Sequence, residues 1–383
     1  MESGPQALAA LLESKRVLIT VGAGGVGKTT TAAALGVAAA RRGKRVLCLT
    51  IDPARRLAES LGIAEMRTEA VKVDPARFTA AGVHMSGSLT AMMLDTKRTF
   101  DELVVKYSSS KEKAERLLGN KLYQYVSTSL AGTQEYMAME KLVAVKDDPA
   151  YDLVVLDTPP TANALDFLDA PQRLVEALDS ATMKWFVQAF QQTGKLSLNL
   201  LAKSAATVLR GIGKITGGGF LEAMAEFIAE LNDLFGGFKE RAGRVEAALR
   251  SPDVAFVLVT SAAPPSIQEV LYFAERLEEA KMPRGAFVVN RYHVAPARAD
   301  GLTVADARSA IAARGLALEE DAPERLVRAH VDATKLAALD ARHLRALETS
   351  AHGTPIVRVA ELDTDVHDIK LLAQLSDVLV GAA

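Results

Sequence analysis

Apolar positions along this chain fall into short unbroken runs and longer interrupted ones, and the two kinds predict different elements. Residues 17–21 (VLITV) are continuous, rich in β-branched side chains and followed by a glycine loop. That is the pattern of a strand buried on both faces. Similar runs recur at 46–51, 153–156, 255–260 and 285–290, with a last short one at 355–359. Between the first two, residues 29–42 are alanine-rich and stop at Gly43, which predicts a helix. Short apolar strands separated by helical segments predict an α/β fold: a doubly wound, mostly parallel sheet with helices on both faces.

Two regions break this rhythm. Residues 95–126 and 171–250 lack strand signals and carry helical periodicity. In the second, Phe220, Met224, Phe227, Ile228, Leu231, Leu234, Phe235 and Phe238 recur at helix spacing as a wide apolar stripe. Leu198, Leu201, Ala205, Val208 and Leu209 form another, separated from the first by Gly217, Gly218 and Gly219. These regions are expected to form a helical subdomain inserted into a single domain spanning 1–383. The stripe either packs inside the subdomain or a dimer, or grips hydrophobic segments. A further helical segment is expected at 304–348. Met92, Met93 and Met224 fall in helical patterns and are expected in the core rather than in a substrate groove.

Composition narrows the class. The 383 residues are 49% hydrophobic, 24% charged and 5% aromatic, which suits a packed core and argues against disorder. A net charge of -2 gives no reason to expect a nucleic-acid binder held by a broad basic surface. The one cysteine, Cys48, rules out a disulfide within the chain and any all-cysteine metal site. The six histidines show no metal-ligand spacing. The longest stretch without Asp, Glu, Lys or Arg, 78–94, contains His84, Gly82 and Gly87, which does not suit a membrane span. The first residues, with Glu2 and Glu13, lack a signal pattern, so a cytoplasmic protein is expected.

The chemistry concentrates at 22–29 (GAGGVGKT), which fits G-x-x-x-x-G-K-[ST] between a strand and a helix. Glycines let the backbone turn so that amides of Gly24, Gly25, Val26 and Gly27 face a phosphate, and the following helix adds its positive end. Lys28 should reach the β- and γ-phosphates of ATP. Thr29 should ligate Mg2+, with Thr30 beside it. Asp157, closing an apolar strand, either ends that strand or places a carboxylate beside the Mg2+. Asp52 precedes Pro53 and either caps a helix or orients the attacking water. Asn290 is either a turn residue or reads an adenine edge with its amide.

Together these pieces resemble the arsenical-pump ATPases and their relatives that target tail-anchored membrane proteins, within the dimeric deviant-Walker ATPases. The matching segments are 22–31 (GAGGVGKTTT), 50–54 (TIDPA), 131–135 (AGTQE), 157–168 (DTPPTANALDFL), 288–291 (VVNR) and 360–368 (AELDTDVHD). Residues 89–104 look especially like bacterial members of uncertain function. The resemblance implies a Mg2+-dependent ATPase, dimeric with itself or a related chain, acting on a protein or hydrophobic client. Asp52 would then activate water, Asp157 and the following residues would form the second switch, Asn290 would contact adenine, and the loop around Glu361 and Leu362 would cover the base. An alternative is a targeting module that uses ATP mainly as a conformational ligand. Neither reading involves nucleic acid or an integral membrane segment.

The departures are equally specific. Family members carry a lysine where this chain has Ala23, and that lysine reaches across the dimer; slow turnover is therefore expected, with Arg55 and Arg56 as candidate replacements. Ala131 stands for a proline, and Ala162-Asn163 for Gly-His. The zinc-binding and arsenite-binding cysteines have no counterpart here.

Overall fold

The computed structural model describes residues 3–51, 61, 63, 69–120, 123–124, 127, 133–158, 238–297 and 301–381. Asp52, Arg55, Arg56, Ala131, Ala162, Asn163 and the apolar stripes from Leu198 to Phe235 lie outside them; Phe238 opens a described helix, without its side chain. The described residues gather into two units, Met1–Met92 with Pro149–Ala164 and Pro252–Ala383, and Met93–Asp148 with Leu165–Ser251.

The first unit is organised by one sheet. Its strands are β1 (Val17–Val21), β2 (Arg45–Thr50), β3 (Val71–Lys72), β4 (Ser88–Met93), β5 (Leu153–Asp157), β6 (Val254–Ser261), β7 (Arg284–Tyr292) and β8 (Ile356–Ala360). They lie in the order β3-β4-β2-β5-β1-β6-β7-β8. The pairings of β2 with β5, β5 with β1, β1 with β6, β6 with β7 and β7 with β8 are all parallel, while β3 and β4 pair antiparallel. Five buried positions out of five in both β1 and β5 explain why the central strands read as continuous apolar runs.

Alternate residues serve opposite faces. Leu18, Cys48, Val155, Val257 and Val288 join a core with Leu8 and Leu12 of the first helix, the alanines of helix Lys28–Arg41, and Leu372 and Leu379 of the last helix. On the other side Phe256 meets Phe273 of helix Pro264–Glu279, ring centroids 6.4 Å apart. Helices therefore cover both faces, as a doubly wound sheet requires.

Several elements depart from the sequence expectation. The helix Gly4–Ser14 was not anticipated. Ser3 and Gln6 form its capping box, and it buries Leu8 and Leu12. The strand β4 and its short partner β3 were also missed, and Met92 and Met93 lie in β4 rather than in a helix. The segment expected as one helix over 304–348 is two, Val304–Ala313 and Ala322–Ser350. Gly315, at φ 61°, breaks it, and Pro323 restarts it.

The second unit contains helices Thr96–Tyr107, Lys111–Gly119, Thr133–Lys146 and Phe238–Leu249. Its interior buries Arg241, whose guanidinium carbon lies 4.1 Å from the centroid of the Tyr107 ring and whose Nε lies 3.9 Å from Glu140. The hydroxyl of Tyr136 donates to the same Glu140. A buried cation is tolerated because a carboxylate and an aromatic face replace its water.

Close approach of helix Lys28–Arg41 to the sheet depends on Gly36. A Cβ at that position would overlap the Cys48 sulfur and crowd Leu89 Cδ1 at 3.2 Å. Alanine would gain up to about 1 kcal/mol of helix propensity, but overpacking costs about 1–3 kcal/mol, so packing should win. Gly36→Ala should lower the urea midpoint, and adding Cys48→Ala should recover most of the loss.

Candidate functional site

The site is built where β1 hands the chain to helix Lys28–Arg41. Gly22, Gly25 and Gly27 take φ values of 148°, 77° and 96°, a conformation that side-chain-bearing residues rarely adopt. A Cβ at Gly22 would overlap the Val259 carbonyl oxygen on β6, and one at Gly27 would overlap the Asn290 amide on β7. Glycine is thus required both by the turn and by the neighbouring strands. Gly24 and Gly25 stand exposed at the tip of the loop, whereas Val26 is buried beneath it.

Lys28 is 6% exposed, and its Nζ donates to the carbonyl oxygen of Ala23 at 2.8 Å, curling back over the loop. Thr29 Oγ1 donates to Asp157 Oδ2 at 2.7 Å, and Thr50 Oγ1 donates to the same oxygen at 3.1 Å. The Asp157 carboxylate therefore sits on β5 between the start of the helix and the end of β2, at 1% exposure for the residue. Hydroxyl donors from both sides offset part of the cost of burying its charge. Thr30 is half-buried in the first turn of the helix.

Asn290, at the end of β7, donates from Nδ2 to the Val26 carbonyl oxygen at 2.9 Å. One amide hydrogen thus holds the phosphate loop; the side chain carries a second hydrogen and an acceptor oxygen. Of the residues singled out from sequence, the structure brings together the 22–29 loop, Thr30, Asp157 and Asn290, while Asp52 lies outside the described residues. Sequence reasoning gave Thr50 no role. Its place at the C-terminal end of a buried strand, where open sheets put their ligands, was the available signal.

The donor set fits a nucleotide and a magnesium ion. Gly24 and Gly25 stand exposed at the loop tip, and a Cβ at Gly25 would meet no protein atom within 4 Å, so the loop's outer side is open to a phosphate. Thr29 and Asp157 offer hard oxygens at one place, and Mg2+ takes few protein ligands, completing its shell with phosphates and water. Among the described residues no cluster of three or more His, Cys, Asp or Glu could form an all-protein cage.

A family model described as "Anion-transporting ATPase" matches residues 15–322. The chain is 28% identical over 278 residues to a protein named ATPase get3 from Aspergillus terreus (strain NIH 2624 / FGSC A1156). That alignment takes in 72% of this chain and 73% of the relative. No helix among the described residues is long and apolar enough to cross a membrane.

Cys48 lies on β2, next to β5. Burial, and then the nearby Asp157 charge, push its thiol from 9.0 up to about 12. An acid kept neutral by the fold contributes stability that is fully present below its unfolded value near 9, and this is lost as pH rises towards 12. Cys48 should accordingly resist thiolate-directed reagents in the native protein at about pH 8 and react only in urea. Rapid labelling of folded protein would show that the sulfur is not sealed beneath helix Lys28–Arg41.

Proposed function

The chain belongs to the anion-transporting ATPase family, and from that premise we propose that it binds Mg2+-ATP on the 22–29 loop and hydrolyses it. The nucleotide state would govern a dimer, of two copies or with a related chain, that acts in the cytoplasm on a protein or hydrophobic client. The observation that carries this reading is the meeting of Thr29 Oγ1 and Asp157 Oδ2, 2.7 Å apart, directly behind a glycine cradle.

The chain's own residues divide the work. Backbone amides of Gly24, Gly25, Val26 and Gly27, with the helix N-terminus, hold the phosphates. Lys28 exchanges the Ala23 carbonyl for phosphate oxygens, a charge-assisted and therefore stronger partner. Thr29 and Asp157 would hold the magnesium ion, whose charge would offset that developing on the transferred phosphoryl group. Thr30 lines the same turn. Asp52 orients the attacking water, and Asn290 offers its remaining amide hydrogen and its oxygen to adenine. The loop around Glu361 and Leu362 covers the base.

Ala23 favours slow turnover. It is 7% exposed and neutral where the resemblance calls for a lysine reaching the partner's nucleotide. The same residue supports a second reading, a targeting module for hydrophobic segments in which ATP binding matters more than hydrolysis.

Three measurements test the proposal. Calorimetry with ATP and Mg2+ should show binding by the full chain, and Lys28→Ala should lower the rate of phosphate release by about a hundredfold or more. Absence of ATP binding would remove the reading. Mass in solution, with and without ATP and Mg2+, should change; a strict monomer in both conditions rejects the switched dimer. Ala23→Lys should raise turnover in protein that remains folded, and an unchanged rate would show that this charge is not limiting.

A further inference from the structure

Three polar residues distant in sequence meet just beyond the ends of β7 and β8. Arg291 takes a left-handed φ of 54°, and the pairing of β7 with β8 shifts register between Val289 and Tyr292. Pairing resumes at Tyr292 with Ala360, and the Glu361 amide donates to the Tyr292 carbonyl oxygen at 3.0 Å. The next residue, His293, brings both its backbone N–H and its ring Nδ1 to Asp340 Oδ2, at 2.9 and 2.8 Å. Its other ring nitrogen, Nε2, lies 3.1 Å from Glu361 Oε2.

The two carboxylates differ in setting. Asp340 comes from the buried side of helix Ala322–Ser350, with its side chain 12% exposed, while that of Glu361 is 53% exposed. A buried carboxylate that accepts from the backbone N–H and from Nδ1–H of one residue fixes that residue firmly, and Nε2 donates to Glu361 when the ring carries both protons. A half-exposed one is held more loosely and can be released. Glu361 opens the irregular, mostly exposed segment 361–368, which Arg291 also approaches, 3.9 Å from Asp365.

The sheet order gives this arrangement a direction. Asp157, with Thr29 and Thr50 against it, lies on the β5 side of the phosphate loop, whereas β6, β7 and β8 follow on the other. Asn290 touches the loop from β7. A nucleoside leaving the loop away from the metal ligands crosses the carboxyl ends of β7 and β8, where segment 361–368 begins.

We propose that His293 is a positioning residue for nucleoside binding: fixed by Asp340, it clips Glu361 and so sets where segment 361–368 lies over the nucleoside. The proposal rests on the nucleotide reading above and adds to it a buttress that reaches helix Ala322–Ser350.

Calorimetry on the full chain with two ligands, ATP and inorganic tripolyphosphate, tests it. The second ligand carries phosphates and no nucleoside. In His293→Asn the amide replaces Nδ1 towards Asp340 but falls short of Glu361. Glu361→Ala removes the same contact from the exposed side, where misfolding is not a concern. Both should weaken ATP roughly two- to fivefold, the upper part of the range of one part-exposed ion pair, and leave tripolyphosphate unchanged. His293→Gln, whose amide reaches the Nε2 position, should recover most of the ATP affinity. Unchanged ATP affinity in both weakening variants, or equal losses for the two ligands, would overturn the clip. Wild-type protein that binds neither ligand would remove the nucleotide reading itself, and the clip with it.

Discussion

A carboxylate in the middle of a sheet is costly, by several kcal/mol when nothing replaces its water. At Asp157 the replacement comes from hydroxyls on two different elements, Thr29 at the helix start and Thr50 at the end of β2. Register follows from this, since Thr50 pairs with Asp157 across β2 and β5 while Thr20 pairs with it across β1 and β5. A one-residue slip of either neighbour would turn every side chain to the opposite face. The three central strands, the phosphate loop and the helix behind it are thus tied to one acidic group. Its negative charge is what a bound cation would share, so the cost of burial is also the source of pre-organisation.

The central strands were legible in sequence because strands covered on both faces leave unbroken apolar runs; their observed ends fall within a residue or two of the expected ones. Elements whose stability comes from distant partners were not legible. The helix Gly4–Ser14 offers a short alternation that gains meaning only against Leu372 and Leu379 of the last helix. β4 lies in a charge-free stretch between Gly87 and Asp95 whose burial does not follow strict alternation. Gly315 was available as a break between two helices, but the apolar spacing on either side continued across it.

Within the site, the same division holds. The loop announces itself because its glycines are required by local φ values and by the proximity of Val259 and Asn290. Asp157 follows from its place at the end of a strand. Asp340 could not be anticipated, since it lies 47 residues from His293 and only the fold brings them together. Chemistry set by a local turn can be read from spacing; chemistry set by where a helix crosses a sheet end cannot. Nor does spacing reveal that Ala23, neutral in sequence, also has its methyl group packed into the core.

The helix that carries Lys28 and Thr29 ends at Arg41, and Arg41 donates to Ser376 Oγ at 2.9 Å and pairs with Asp377 at 2.6 Å on the last helix. Leu372 and Leu379 of that helix fill the core beside the alanines behind the phosphate loop. During synthesis, residues 22–29 leave the ribosome long before residues 369–380 exist to pack against them. The nascent loop must wait, its supporting helix lacking one wall, until residues 369–380 have emerged. A chain stopped short of helix Ile369–Val380 would carry all of residues 22–29 yet lack the wall behind the helix that follows them.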